Sequence, residues 1–299
     1  MSESGTLRTV LATSPLTEPL KSGAVSSPGL TFDFVDVSPV HKAFAPMVRQ
    51  QSYDLSELAI VTALQAVAFG RPLILLPAVV ASRFQRGCLI TRRTGGVTSP
   101  QDLPGKRIGV RAYTQTTGMW VRAHLAEDYG LATASMHWLT RDPAHVEQYQ
   151  DPSFVEHATD DKSLLDQLRE GIADAAILGN DLPKDEEFVP VIADAGARDS
   201  AWYTQHGFVP INHLLSASTV ACERDPGAIR AAYGLLLQSF GQLHAPAGKP
   251  SPYAFSFGKL LGPVQYVIDA CLEQGLLPRR LGLDEVFGPA ENILGGLVA

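Results

Sequence analysis

An unbroken apolar run at residues 73–80, LILLPAVV, constrains the fold more than any other feature of this chain. Eight residues are too few to cross a membrane, and a short continuous apolar run is typical of a β-strand buried on both faces. Other strand-like runs lie at residues 6–12, 30–37, 54–61, 87–92, 106–111 and 173–178. They alternate with helical patterns at residues 117–129, 163–171, 228–243, 263–274 and 283–287. This alternation predicts an α/β protein with largely parallel sheets.

Length and charge narrow the classes of protein and partner. A chain of 299 residues exceeds the usual size of one hydrophobic core, so two lobes of roughly 100–150 residues are expected. The net charge of −7 arises from dispersed Asp and Glu, without a block of Lys or Arg. Nucleic acids and anionic membrane surfaces are therefore not expected as partners. A homo-oligomer is left open.

The cysteines and the first residues bear on the expected compartment. Cys88, Cys222 and Cys271 show no CxxC spacing, so neither a disulfide framework nor a zinc site is expected. Residues 1–14 lack the basic segment and apolar run of a signal peptide, and no stretch approaches the length of a membrane span. We therefore expect a cytoplasmic protein that does not insert into a membrane.

Residues 102–110, DLPGKRIGV, resemble the lobe-crossing signature of type II periplasmic binding proteins, and Leu168, Gly171 and residues 174–177 fit the stretch that follows it. The resemblance implies two lobes, each a mixed, mostly parallel sheet flanked by helices, with a ligand cleft between them. Lobe I would comprise residues 1–104 and 214–299, and lobe II residues 105–213. The crossings would lie near residues 95–105 and 207–216.

Within that fold, the chain resembles the 4,5-dihydroxyphthalate decarboxylase family. The matching residues are 53–57, Ser82, Arg83, Arg86, 120–122, Tyr129, Gly130, His137, Trp138, Pro210, Ile211, His213, 274–276 and 285–287. Three departures predict a divergent member whose substrate can differ. Gln85 and Gly87 flank Arg86 where the family has an aromatic residue and a histidine, residues 59–62 replace a serine-rich stretch, and residues 257–260 stand where the family has a WPYG-like segment.

Ligands of open α/β sheets bind beyond the carboxyl ends of the strands. Four loops fit that description, at residues 13–17, 56–62, 113–117 and 179–181. The third joins a strand to a helix, so its N–H groups and hydroxyls suit a carboxylate or a phosphate. The alternative is that Thr116 or Thr117 only caps the helix. The candidate ligand-binding residues of the four loops are Thr13, Ser56, Tyr113, Gln115, Thr116, Thr117 and Asn180.

Four further side chains are candidates for chemistry. Arg83 and Arg86 carry planar guanidinium groups that suit a carboxylate, although either could be solvated or paired with an acidic neighbour. Glu57 could transfer a proton if burial perturbs it, or it could serve only as a structural acceptor. His213 could be a core residue, but the predicted crossing places it beside the cleft, where histidine is the natural acid or base.

The resemblance implies a non-oxidative decarboxylase, or a related lyase, that acts on a small hydroxylated aromatic carboxylic acid in aromatic compound degradation. His213 or Glu57 would transfer protons, and because the ring itself takes up the electrons, no cofactor is expected. The sequence contains neither an HxH nor an HExxH spacing, so a metal site is not expected. The alternatives are a non-catalytic solute-binding protein for an organic acid, in an ABC-type uptake system, and an enzyme that removes water from chorismate-like acids.

Overall fold

The computed structural model describes residues 5–159, 161–243 and 248–298, and within them it forms two six-stranded sheets flanked by helices. The strands are β1 (Gly5–Val10), β2 (Leu30–Phe34), β3 (Leu55–Ala59), β4 (Leu73–Ser82), β5 (Leu89–Arg92), β6 (Arg107–Val110), β7 (His137–Thr140), β8 (Val155–His157), β9 (Ala175–Ile177), β10 (Phe188–Pro190), β11 (Ile211–Ser218) and β12 (Ala254–Phe255). The helices are α1 (Glu18–Lys21), α2 (Phe44–Gln50), α3 (Ile60–Ala68), α4 (Thr116–Tyr129), α5 (Leu164–Arg169), α6 (Ala195–His206), α7 (Thr219–Arg224), α8 (Pro226–Gln242), α9 (Phe257–Glu273) and α10 (Leu283–Leu294).

The first sheet has the order β12-β4-β11-β3-β1-β2, and the second has the order β10-β5-β9-β6-β7-β8. The apolar run at residues 73–80 lies in β4, which pairs with β11 on one side and β12 on the other. The predicted α/β class and the mixed sheets are confirmed. Parallel pairings are the majority only in the second sheet, where three of the five described strand pairings are parallel, against two of five in the first. Each sheet has one strand that runs antiparallel to both of its neighbours, β11 in the first and β5 in the second, and the first sheet gains a third antiparallel pairing from β12.

The chain passes from the first sheet to the second between Ser82 and Leu89, because β5 already pairs with β9 and β10 of the second sheet. The crossing predicted near residues 95–105 is therefore wrong. That stretch belongs to the connection between β5 and β6 of the second sheet and includes a short 3-10 helix, where the Asp102 carboxylate accepts hydrogen bonds from the N–H groups of Thr98 and Ser99. The return passage lies between α6 and β11.

The two sheets are joined along one side by buried polar contacts. Trp120 on α4 donates its indole N–H to the carbonyl of Ile211 on β11, at 2.7 Å. Gln274, just after α9, accepts from Arg122 Nε at 2.7 Å and donates to the carbonyl of Met119 at 3.0 Å. These contacts fix the second sheet against α9 on one side, and a cleft opens between the sheets elsewhere. Among the described residues, no helix combines the length and apolar character that a bilayer crossing requires.

Candidate functional site

A cavity of about 850 Å³ lies between the two sheets. One wall comes from the carboxyl end of β4 and from β11 with α3, and the other comes from the segments that follow β6, β7 and β9. It therefore lies where strand ends of an open α/β fold place a ligand. Of the sequence-predicted residues, six line it: Arg83, Gln115, Thr116, Thr117, Asn180 and His213.

Arg83 follows β4 at the point where the chain leaves the first sheet. Its Nη2 donates to Thr117 Oγ1 at 3.1 Å, and its Nη1 contacts Cys88 Sγ at 3.1 Å. Within the described part of the chain, no carboxylate lies within 4.0 Å of this guanidinium. Arg83 therefore presents a positive charge to the cavity that an anionic ligand can neutralise.

The start of α4 provides a second set of donors. Gln115 is the N-cap residue, and its side chain makes no capping hydrogen bond. The Thr116 hydroxyl is buried and has no partner among the residues that the structure describes. The alternative that Thr116 or Thr117 merely caps the helix is therefore not what the geometry shows. The free N–H groups of this first turn and the Arg83 guanidinium meet at one end of the cavity, which suits a carboxylate.

His213 and Glu57 form a pair at the wall of the cavity. Leu215 lies opposite Glu57 and His213 lies opposite Ala59 in the β3–β11 ladder, so the two side chains are diagonal neighbours on one face. Glu57 Oε1 lies 3.6 Å from His213 Nδ1, and Glu57 is only 2% exposed. His213 lines the cavity, whereas Glu57 lies behind it. Glu57 can therefore act on a ligand only through the imidazole, and its predicted direct contact is wrong.

Three more predicted contacts are wrong because hydrogen bonds turn the side chains elsewhere. Tyr113 is buried outside the cavity and donates its hydroxyl to the carbonyl of Gln274 at 2.7 Å. Ser56 is fully buried and donates to the carbonyl of Glu57 at 2.8 Å. Thr13 is exposed away from the cavity and accepts from Lys21 Nζ at 2.9 Å.

Arg86 is also not a ligand-binding residue in this structure. Its guanidinium is fully buried and donates from Nε and Nη2 to the two carboxylate oxygens of Asp128, at 2.8 and 3.2 Å. Its Nη1 donates to Asp199 Oδ1 at 2.8 Å. Burial opposes its charge, but the hydrogen bonds that it donates to Asp128 and Asp199 outweigh burial and raise the pKa of Arg86. Arg86 thus ties the crossing segment to α4 and α6.

The cavity also contains residues that sequence reasoning missed, and they come from four segments of the chain. They are His41 after β2, Thr62 on α3, Arg111 after β6, and Arg141, Asp142 and His145 after β7. Arg111 Nη1 pairs with Asp142 Oδ2 at 3.1 Å. The rule that ligands meet the carboxyl ends of strands would have pointed to residues 140–145, had residues 137–140 been recognised as a strand. In the part of the chain that the structure describes, no three His, Cys, Asp or Glu side chains are placed to hold a metal ion.

Burial of His145, with Arg111, His41 and Arg49 nearby, lowers the pKa of its imidazole from 6.5 to about 4. As the pH falls from 6.5 to 4, the unfolded chain takes up a proton on His145 before the folded chain does, so the folded protein loses stability. We expect the wild type to lose about 3 kcal/mol more than His145→Asn between pH 7 and pH 4, in urea unfolding at each pH. Asparagine retains a polar atom near the position of Nδ1. Parallel stability curves for the two proteins would contradict the assignment.

The curated relatives that match this chain include two proteins named 4,5-dihydroxyphthalate decarboxylase. The protein from Comamonas testosteroni is 27% identical over 72% of this chain and 69% of its own length. The protein from Pseudomonas putida is 30% identical over 53% of this chain and 64% of its own length. These matches confirm the resemblance to that group and its divergence.

Solved structures with the same fold include a binding protein and an enzyme. The alkanesulfonate-binding protein SsuA from Xanthomonas axonopodis pv. citri, bound to MOPS, is 16% identical and superposes with a TM-score of 0.59 over 97% of this chain and 99% of its own. The desulfurization enzyme DSZB is 15% identical, with a TM-score of 0.51 over 97% and 98%. Both confirm the fold. The profile of a family described as "ABC transporter, phosphonate, periplasmic substrate-binding protein" matches residues 13–195.

Proposed function

This chain belongs to the family of ABC-transporter phosphonate periplasmic substrate-binding proteins, and from that premise we propose that its cleft binds a small hydroxylated aromatic carboxylic acid and removes one carboxyl group as CO₂. The support for a reaction, beyond binding, is the Glu57–His213 pair at the cavity wall. A binding site for an acid needs cations and N–H donors, but it does not need a buried carboxylate behind an imidazole. The names of the two decarboxylase relatives point the same way.

The geometry supports a division of roles for a substrate with two carboxylates. Arg83 and the first turn of α4 hold the carboxylate that stays on the ring. Arg83 and His213 lie on neighbouring segments, because β11 pairs directly with β4 and Arg83 N donates to the carbonyl of Pro210 just before β11. A substrate held by Arg83 therefore places the ring carbon that carries its leaving carboxylate next to His213. The buried Glu57 carboxylate lies 3.6 Å from His213 Nδ1, on the side of the ring away from the cavity, and orients the imidazole.

The reaction then balances without oxidation. The His213 imidazolium donates its proton to the ring carbon, and a ring hydroxyl in the ortho or para position stabilises the dearomatised intermediate. The bond between that carbon and the carboxylate breaks, CO₂ leaves, and the electron pair restores the aromatic ring. His213 ends neutral and regains a proton from water.

The second candidate is a solute-binding protein without chemistry, which the matched family and the sulfonate-binding neighbour favour. It would use the same Arg83 end of the cavity. The proposed setting of the decarboxylase, aromatic compound degradation in the cytoplasm, rests on the sequence expectation alone.

Incubation with carboxyl-¹³C-labelled 4,5-dihydroxyphthalate in D₂O distinguishes the two candidates. We expect ¹³CO₂ and one deuterium at the vacated ring carbon of each product molecule. Arg83→Met is expected to remove turnover by weakening binding, which excludes a contaminating enzyme as the source. Binding of the acid without ¹³CO₂ would contradict the decarboxylase and support the solute-binding protein.

A further inference from the structure

The cavity contains a second imidazole, His145, whose surroundings differ from those of His213. His145 lies in the loop after β7, and its Nδ1 is 2.9 Å from Thr62 Oγ1 on α3. The Phe44 ring makes an edge-to-face contact with each imidazole, with ring centroids 5.8 Å from His145 and 5.1 Å from His213. The two histidines therefore contact one aromatic side chain on the wall of the same cavity.

The position of His145 is fixed from the opposite sheet. Arg49 on α2 donates from Nε to the carbonyl of His145 and from Nη2 to that of Ala144, both at 2.9 Å. Thr62 engages Nδ1, so Nε2 is the ring nitrogen left for the cavity. In the tautomer whose Nδ1 donates to the Thr62 hydroxyl, Nε2 carries a lone pair and is a hydrogen-bond acceptor.

The charged groups around this imidazole keep it neutral. Burial, Arg111, His41 and Arg49 all lower its pKa, to about 4, and Asp142 is already paired with Arg111. His213 instead has the Glu57 carboxylate behind it. Two imidazoles in one site, one beside a carboxylate and one beside cations, suit opposite roles as proton donor and as acceptor.

We propose that His145 is a specificity residue for the reaction proposed above, whose Nε2 accepts a hydrogen bond from a ring hydroxyl of the substrate. An analogue without that hydroxyl would leave a buried acceptor unpaired, which lowers its affinity. The same hydrogen bond draws the hydroxyl proton away from the ring and raises the electron density at the carbon that His213 protonates. This inference takes its class of substrate from the proposed function. Its test measures binding only and does not require that the protein releases CO₂.

Calorimetric titration with 4,5-dihydroxyphthalate and with phthalate measures the preference for hydroxyl groups directly. We expect the wild type to bind the hydroxylated acid at least about 10-fold more tightly, since a site built to bond a hydroxyl discriminates strongly against its absence. His145→Asn keeps an atom for Thr62 but lacks Nε2, and it is expected to bring the ratio close to 1. His145→Gln, whose amide reaches the position of Nε2, is expected to keep part of the preference. The exposed His137, on β7 of the same sheet, provides the matched control His137→Asn, which should retain the full ratio.

The outcomes separate this inference from the proposed function. A preference that His145→Asn abolishes supports the inference, whether or not CO₂ is released. A preference that persists in His145→Asn, or that the wild type lacks, overturns it even if CO₂ release continues. If His145→Asn folds poorly by circular dichroism, Thr62→Val tests the same inference. Loss of the hydrogen bond that fixes the ring nitrogens should reduce the ratio of the two affinities several-fold. An unchanged ratio would overturn the inference.

Discussion

Replacement of His213 by glutamine is expected to lower kcat for CO₂ release by about 10²–10⁴-fold, the usual contribution of a positioned acid or base. The reason is that glutamine can occupy much of the imidazole volume but cannot deliver a proton to the ring carbon. Affinity for the substrate should change much less, because the proposed carboxylate contacts come from Arg83 and the start of α4. Single-turnover kinetics with calorimetric binding separate the two effects.

Glu57→Gln tests whether the buried carboxylate acts through His213. Glutamine preserves the shape but removes the negative charge 3.6 Å from Nδ1. We expect about a 10-fold loss in kcat, because the negative charge behind the ring no longer attracts the imidazole while it carries the transferred proton. The double variant should be no slower than His213→Gln alone, since Glu57 has no other route to the substrate. Losses that multiply in the double variant would show that Glu57 does not work through the imidazole.

The strand pattern allowed much of the fold to be predicted, because burial on both faces leaves a clear mark. β6 and β9 lie within the predicted runs, and β4 covers its run and continues to Ser82. The helix α4 ends at Tyr129, with Gly130 in the left-handed region at φ 67°, as glycine at this position predicts. The first crossing could not be located in the same way. A Gly- and Pro-rich stretch such as residues 95–105 breaks regular structure equally well inside a sheet or between sheets.

The candidate site was predictable where a residue sits next to a recognisable strand end, and not elsewhere. Arg83 and Thr117 are of this kind, and their contact at 3.1 Å follows from two loops that meet at one edge. His145 lies in a loop without a motif, after a short strand. Its environment comes from Thr62 and Arg111, which precede it by 83 and 34 residues in the chain. Such contacts leave no local pattern in a single sequence.

Arg86 was predicted to contact the ligand because of its residue type, but in the fold its guanidinium pairs with two aspartates. Asp128 and Asp199 lie 42 and 113 residues along the chain, so no local pattern pairs them with it. We expect Arg86→Met to lower the free energy of unfolding by about 3–5 kcal/mol, because it leaves two largely buried carboxylates without a cation. Urea unfolding followed by tryptophan fluorescence measures this loss, and Trp202 on α6 is a nearby probe.

The control for Arg86 is Arg169, which makes ion pairs with Asp166 and Glu187 while its side chain remains 42% exposed. Arg169→Met should cost far less stability than Arg86→Met, since water and salt screen exposed pairs. Adding Asp128→Asn and Asp199→Asn to Arg86→Met should recover much of the lost stability, because no uncompensated charge then stays buried. Affinity for 4,5-dihydroxyphthalate should be unchanged in the folded Arg86 variant. A stable Arg86→Met protein that no longer binds the acid would show that Arg86 is a ligand-binding residue. The two aspartates would then have to release its guanidinium when the ligand enters.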